Sequence, residues 1–339
     1  MATTAKEIAN HLGLSQPTVS RILSGANGHR VAADTKQRVL DAAKAMDYRP
    51  NAVARSLRQR RTNIVGFYSG YAALDTRHDF IAAMVGGLQA ACEPTNLDLL
   101  LHGVHAARPP EEVYSELVDG RIDGLFFHGA LNNPLIAMLA TSSLPVIALA
   151  DPVRNIPSVV ADNVAGMSML VDTLWGKGHR SIVFLAPPVR FASVEDRISA
   201  FQHAMARHGA SPSQSTVLTT YVEDRTVPSV AIEDTRDVLS DILDSADRPT
   251  AVCCWNDRAA YDLLWRCLKA GIRVPEDLAI VGFDGFLETK LPFRHLTTVS
   301  VDYGELAHTA LRVMLDLIAG KQVAPLTILP VELTAGDTI

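Results

Sequence analysis

Ser15, Gln16, Thr18, Ser20 and Arg21 lie within seven consecutive residues near the N-terminus. An arginine can donate two parallel hydrogen bonds to a guanine edge, and a glutamine can pair with adenine or bridge to phosphate. The three hydroxyls suit phosphate oxygens, which fix position without reading sequence. Pro17 has no donor and could touch only a thymine methyl. Thr4 is counted with them as a candidate contact. A second group of polar residues lies far along the chain: Arg197, Asn256 and Asp284, with Phe80 and Trp255 as possible aromatic walls. A bidentate arginine clamps vicinal hydroxyls or a carboxylate, and flat rings stack on aromatic side chains.

The first group needs a rigid platform. Ile8, Ala9 and Leu12 recur at helical spacing, Gly13 permits a sharp turn, and Leu14 packs beneath it. Ser15 is a good N-cap for a second helix, where Pro17 is tolerated in the first turn. Val19, Ile22 and Leu23 then face inward. Gln16, Pro17, Ser20 and Arg21 remain outside, near the end of a helix that can enter a major groove. A third helix is expected from about Thr35 to Met46, with Val39, Leu40 and Ala43 inside, stopped before Pro50. A helix pair that merely packs is the rival reading, and this pattern alone leaves the two level.

The segment from Asn51 to Gln59 is too short to hold a helix by itself, since isolated helices under ~12–15 residues are marginal. Arg55, Arg58, Arg60 and Arg61 repel one another and weaken it further. Phosphates would remove that repulsion, so the segment is expected to become helical on DNA.

Charge separates along the chain. Residues 1–61 hold eleven Lys/Arg and four Asp/Glu, leaving 20 basic and 33 acidic residues for the remainder. A basic head on an acidic body suggests one polyanion-binding end. The four cysteines (Cys92, Cys253, Cys254 and Cys267) show no CxxC spacing, and no histidine pair reads HxxxH or HExxH. Buried free thiols and no metal are expected. No cofactor motif follows a strand, and residues 66–70 (GFYSG) have the wrong spacing for a nucleophile elbow. No enzymatic activity and no catalytic residue are expected. No apolar run would span a membrane and no signal peptide is evident, so a cytoplasmic protein is expected.

From Asn63 onward, short apolar strands alternate with helical stretches, as in parallel sheets covered on both faces. Strands are expected at 64–67, 97–101, 124–127, 146–149, 181–185, 216–221, 251–254 and 278–282. Helices are expected at 80–92, 111–118, 134–140, 164–175, 197–207, 233–244 and 258–269. In such sheets ligands sit beyond the carboxyl ends of the strands, where Asn256 and Asp284 fall. Arg197 at a helix start opposes the helix dipole, so it needs a partner: a ligand, or Glu195 or Asp196. Asp257 reads as a helix N-cap. Asp284 could instead stabilise its own turn, and Phe80 could be core. Asp151 and Asp162 are weaker candidates for the cleft and a crossover.

Thr18-Val19-Ser20-Arg21, the block from Tyr48 to Ala52 and the block from Ala54 to Leu57 resemble the lactose/galactose repressor family of bacterial transcription regulators. The similarity continues to near the C-terminus. The resemblance implies an α/β fold: a small all-α helix–turn–helix head and a periplasmic-binding-protein-like body of two doubly wound parallel-sheet subdomains. It implies a DNA-binding head at 1–50, a hinge helix at 51–61 and an effector-binding, dimerising body at 62–339. The body would divide into 62–161 with 293–323 and 162–292 with 324–339, the chain crossing near 161–163, 292 and 324. Asn51, Ala54, Arg55, Leu57 and Arg58 would contact DNA, with Leu57 as a minor-groove wedge and Ala54 allowing two hinge helices to approach. Arg197 matches the family's ligand arginine and Asp284 its acceptor, although Gly285 replaces a frequent second aspartate.

Two further departures are a loop at 24–30 about two residues longer than usual and Ala32 at the usual serine cap. The implied protein is a regulator, a repressor by family type, that binds a roughly palindromic operator as a homodimer. A small effector, a sugar or sugar acid first and a purine second, would control it. The helix Asp262–Lys269, with Leu263, Leu264 and Trp265, and the strand after it are a candidate interface, with intrachain core as the alternative for both. The alternatives are a non-regulatory sugar-binding protein and an enzyme acting on a sugar in the cleft.

Overall fold

The computed structural model describes residues 3–24, 31–50, 56, 59, 61–70, 74, 78–103, 108–219, 238–244, 248–286 and 295–339. The chain forms two compact units, Met1–Thr62 and Asn63–Ile339. The hinge residues Asn51, Ala54, Arg55, Leu57 and Arg58, and His29 and Arg30 of the longer loop, lie outside the described residues.

The first unit holds α1 (Ala5–Leu12), α2 (Gln16–Leu23) and α3 (Ala33–Ala45). Thr4 and Glu7 cap the start of α1 reciprocally, satisfying two N–H groups that a helix end otherwise leaves open. Gly13 ends α1 at φ +66, a left-handed conformation that costs a side-chain-bearing residue about 1–2 kcal/mol. Ser15 then caps α2 through the Thr18 N–H. Ile8, Ala9, Val19, Ile22, Val39, Ala42 and Ala43 form the core. Leu40, expected inside, is 41% exposed. The turn of α3 faces Val39, Ala42 and Ala43 inward and carries Leu40 round to solvent. Ala32 stands at the N-cap of α3 with no side-chain bond, and Asp34 lies in the first turn without taking over the cap.

The second unit is built on two six-stranded sheets. One has the order β11-β5-β4-β3-β1-β2, made of β1 (Ile64–Ser69), β2 (Asp98–Leu101), β3 (Gly124–His128), β4 (Val146–Leu149), β5 (Ser158–Ala161) and β11 (Leu326–Leu329). All its pairings are parallel. The other has the order β12-β10-β9-β8-β6-β7, made of β6 (Ile182–Ala186), β7 (Ser215–Thr219), β8 (Ala251–Cys254), β9 (Ala279–Asp284), β10 (Thr297–Ser300) and the antiparallel edge β12 (Glu332–Thr334). The central strands are buried end to end, which is why they read as continuous apolar runs.

The covering helices are α4 (Asp79–Cys92), α5 (Pro110–Leu117), α6 (Leu135–Ala140), α7 (Asn163–Gly176), α8 (Ala192–Arg207), α9 (Val238–Leu243), α10 (Asp257–Ala270) and α11 (Tyr303–Ile318). Of the helix expected at 233–244, residues 233–237 lie outside the described residues.

Two boundaries differ from the sequence expectation. β10 belongs to the second sheet, whereas α11 joins the apolar core of the first together with Met84 and Leu88 of α4. The second crossing is therefore at 301–302 rather than 292. β11 pairs with β5 of the first sheet and β12 with β10 of the second, so the third crossing falls at 330–331 rather than 324. The expectation failed because β10, β11 and β12 are only three or four residues long, and their sheet is chosen by long-range pairing. All four cysteines are free and buried, and burial raises the thiols of Cys92, Cys253 and Cys254.

Candidate functional site

In the head, the positions expected to meet DNA share one surface of α2 and its cap. Gln16, Pro17 and Arg21 are exposed, and Thr18 and Ser20 are half-buried. The Ser15 hydroxyl is not simply available: it accepts from the Thr18 N–H and lies 2.7 Å from the Thr18 hydroxyl. The Thr4 hydroxyl is similarly tied to Glu7, at 3.1 Å from a carboxylate oxygen. These bonds are local and exposed, so they orient the hydroxyls at a helix start, where backbone N–H groups also favour phosphate.

In the body, the strand ends of the two sheets line a cleft that is partly open to solvent. All five expected effector residues line it: Phe80, Arg197, Trp255, Asn256 and Asp284. The first-sheet side adds His128 at the end of β3, Asp151 after β4, and Tyr303 and Leu306 of α11. The second-sheet side adds Phe191 and Ser193 at the start of α8. Cleft position beyond carboxyl ends follows from parallel strands that all end on the same side.

Arg197 is buried, with its guanidinium stacked 3.6 Å from the centre of the Phe283 ring. Its Nε donates to Asn163 Oδ1 at 2.8 Å, and its Nη1 donates to the Trp255 carbonyl. Its Nη2 is 3.7 Å from Asp284. Because α8 starts at Ala192, Arg197 sits in the second turn rather than the first. Glu195 pairs instead with Arg190, at 2.7 Å.

Asp284 has φ +121, a strained conformation for an aspartate and one that clusters at functional sites. Tyr303 donates its hydroxyl to Asp284 Oδ1 at 2.9 Å, linking the second sheet to α11. Burial pushes the Asp284 carboxyl upward; Arg197 pulls it down, and Asp257 adds to the rise. The glycine that follows now has a reason. Gly285 has φ +83, and a Cβ there would stand 2.6 Å from the Ser300 hydroxyl and 2.8 Å from the Ser300 Cα.

Asn256 takes the capping role expected of Asp257. Asn256 caps α10, its Oδ1 accepting from the Ala259 N–H at 2.8 Å. Asp257 is fully buried and accepts from the Phe286 N–H and the Thr298 hydroxyl. The cap lies one residue earlier because Asn256 holds the extended backbone a cap requires. Asp162, expected at a crossover, caps α7 through the Ala165 N–H.

Asp151 reaches across the cleft. Its Oδ1 accepts from the Ser193 N–H at 2.9 Å, at the start of α8, where Phe191 offers no side-chain cap. Its Oδ2 lies 3.3 Å from His128 Nδ1. The His128 ring stacks on Phe191, with centroids 5.6 Å apart and planes at 8°. The Leu131 N–H donates to the Arg190 carbonyl at 3.0 Å on the same side. Phe80 fills the opposite wall, 4.8 Å from His128 and 5.6 Å edge-on to Tyr303.

Sequence reasoning missed His128, Phe191, Ser193 and Tyr303. The last two carried a signal: Ser193 lies near the Arg197 helix start, and Tyr303 follows Asp302, a good cap residue. Of the proposed interface group, Leu263 and Leu264 are core at 1% and 5% exposure, whereas Trp265 is 46% exposed. Leu263 and Leu264 are spoken for because they pack against β8 and β9.

Residues 4–51 match the family of bacterial regulatory proteins named lacI, and residues 171–339 match the periplasmic binding protein-like domain. The HTH-type transcriptional repressor PurR of Vibrio cholerae serotype O1 (strain M66-2) is 27% identical over 324 residues, covering 94% of this chain and 92% of the relative. The HTH-type transcriptional regulator DegA of Bacillus subtilis (strain 168) is 25% identical over 313 residues, covering 90% and 88%. The crystal structure of the Lac repressor dimer bound to operator and the anti-inducer ONPF shares the fold, with a TM-score of 0.82 at 22% identity, covering 100% and 99%.

Proposed function

We propose, since this chain belongs to the lacI family of bacterial regulatory proteins, that it is a DNA-binding transcription regulator whose grip on an operator is set by a small molecule in the cleft. Head and body carry the reading together. A lacI-type head occupies residues 4–51, and the body opens a cleft whose acids, arginine and aromatic rings meet at strand ends. Repression is the direction favoured by the PurR relatives. No helix of the described residues is long and apolar enough to cross a membrane, and a cytoplasmic regulator is the reading this supports.

The head reads base edges with Arg21 and Gln16, while Thr4, Ser15, Thr18 and Ser20 meet phosphates. Two heads on a twofold dimer match a roughly palindromic site. Asn51, Ala54, Arg55, Leu57 and Arg58 serve as the hinge contacts, with Leu57 as the wedge. The effector lies against Phe80, Trp255, Arg197, Asn256 and Asp284. Arg197 is the natural relay. It joins Asn163, at the first crossing, to Trp255 and Asp284, and Asp284 joins Tyr303 just past the second. A ligand that moves Arg197 or Asp284 therefore acts on both crossings directly. The cleft acids are engaged in holding the two sides together, which favours binding over turnover.

Selection of duplex DNA from a random pool by the full-length protein tests the head. It should return inverted half-sites, and Arg21→Ala should lose one base preference at a cost of about 1–3 kcal/mol. A selection returning no shared sequence would contradict the proposal.

A further inference from the structure

The cleft is short of positive charge. Asp151 and Asp284 line it at 3% and 6% exposure, and Asp257, fully buried, stands close enough to Asp284 to raise it. Against these three carboxylates, Arg197 is the one lysine or arginine among the described lining residues. That guanidinium is already committed to Asn163, to the Trp255 carbonyl and to the face of Phe283. It does not donate to Asp284 at hydrogen-bonding distance, since the gap is 3.7 Å. His128 faces Asp151, but behind that pair stands Asp196, whose carboxyl is raised by burial first and by Asp151 second.

Burying charge without a full partner is costly. An anionic ligand would add a further negative group to a site where burial already opposes charge on Asp284 and Asp257, and where Asp257 opposes it further on Asp284. A neutral hydroxyl or an amine would instead donate to them. Each carboxylate has about four acceptor positions, and those of Asp151 and Asp284 are only partly used, by Ser193 and His128 and by Tyr303. Phe80, Phe191, Trp255 and Tyr303 add four aromatic rings to the lining. Ring faces attract C–H-rich sugar surfaces, flat bases and cations alike, and they repel anions. The Trp255 Nε1–H is a buried donor with no partner among the described residues. An acceptor atom brought to it removes the cost of leaving that donor buried and unbonded.

We infer that the cleft selects its effector by charge: it takes a polar ring compound that carries no anionic group, donates hydroxyl or amine hydrogens to Asp151 and Asp284, and offers an acceptor to Trp255 Nε1. Sugar acids, sugar phosphates and nucleotides are turned away. The inference rests on the reading of the cleft as the effector site and narrows it to a ligand class.

Matched compounds that differ in charge alone test it on the full-length protein. One set is D-glucose, D-glucosamine, D-gluconate and D-glucose 6-phosphate; a second is adenine, hypoxanthine, adenosine and AMP; further sugars follow the same scheme. Thermal shift finds binders, and titration gives each affinity. The side-chain N–H resonances of the three tryptophans report where a compound sits. Every binder that moves the Trp255 signal should lack an anionic group and bind more than about tenfold tighter than its acidic match, a gap of about 1.4 kcal/mol. Asp284→Asn should narrow that gap. An acid or phosphate that binds as tightly as its neutral match, and moves the Trp255 signal, overturns the charge inference. Binders that leave the Trp255 signal unmoved, or a panel in which nothing binds, overturn the effector-site reading itself.

Discussion

At the scale of single residues, Asp284 combines burial, backbone strain and a cross-cleft hydrogen bond. Its carboxyl is pushed by burial to about 7, so the folded chain holds that proton more firmly than the unfolded chain does. Stability from this group is therefore greatest below the ordinary carboxylate range, near ~4, and is lost as pH climbs through about 7. Wild type should lose stability relative to Asp284→Asn as pH rises from about 5 to about 8, read by chemical denaturation at each pH. Parallel curves for the two proteins would show that Asp284 titrates as it does in the unfolded chain. Arg197 makes the matching case for position. Asn163→Leu removes the acceptor for its Nε while keeping the shape. Binding of a cleft ligand should weaken by about tenfold, the size of one charge-assisted bond, and Asn163→Asp should restore it. The sequence named Arg197 and Asp284 but could not name Asn163, because the bond joins residues 34 apart across two helices.

At the scale of elements, α8 is the instructive case. Its own N-terminal residues provide no side-chain cap, and the missing acceptor comes from Asp151 on the far side of the cleft. Opening the cleft would uncap the helix. Asp151→Ala should destabilise the body by about 1 kcal/mol, the usual value of a cap, whereas Asp151→Asn should recover most of it. Equal melting of all three proteins would remove the capping role. In the head, Gly13→Ala meets no steric obstacle but must adopt φ +66. It should cost about 1–2 kcal/mol, seen as earlier loss of operator binding on heating. Both effects explain what the sequence made legible. Local rules placed α1, α2, Ser15 as a cap, Gly13 as a turn and the buried strands β1, β3, β4, β6, β8 and β9, but missed the equally buried β5. They misplaced the start of α8, the role of Asp257 and the short strands β10 to β12, where the deciding partner is distant in sequence.

At the scale of the whole molecule, the charge pattern and the cleft make separate demands. The first 61 residues hold eleven Lys/Arg and four Asp/Glu. Operator affinity should therefore fall steeply as salt is raised, with a slope set by the phosphates contacted. A nearly flat salt response would sink the basic-head argument. The cleft must then add a coupling of about 1–3 kcal/mol, or roughly 5–150-fold in operator affinity. The most direct test is operator affinity of the full-length protein with and without a saturating ligand that moves the Trp255 resonance. The account predicts a change within that range, in either direction, that is abolished by Asn163→Leu and restored by Asn163→Asp once ligand is raised to saturate each variant. An operator affinity that stays the same while the cleft is demonstrably occupied would contradict it.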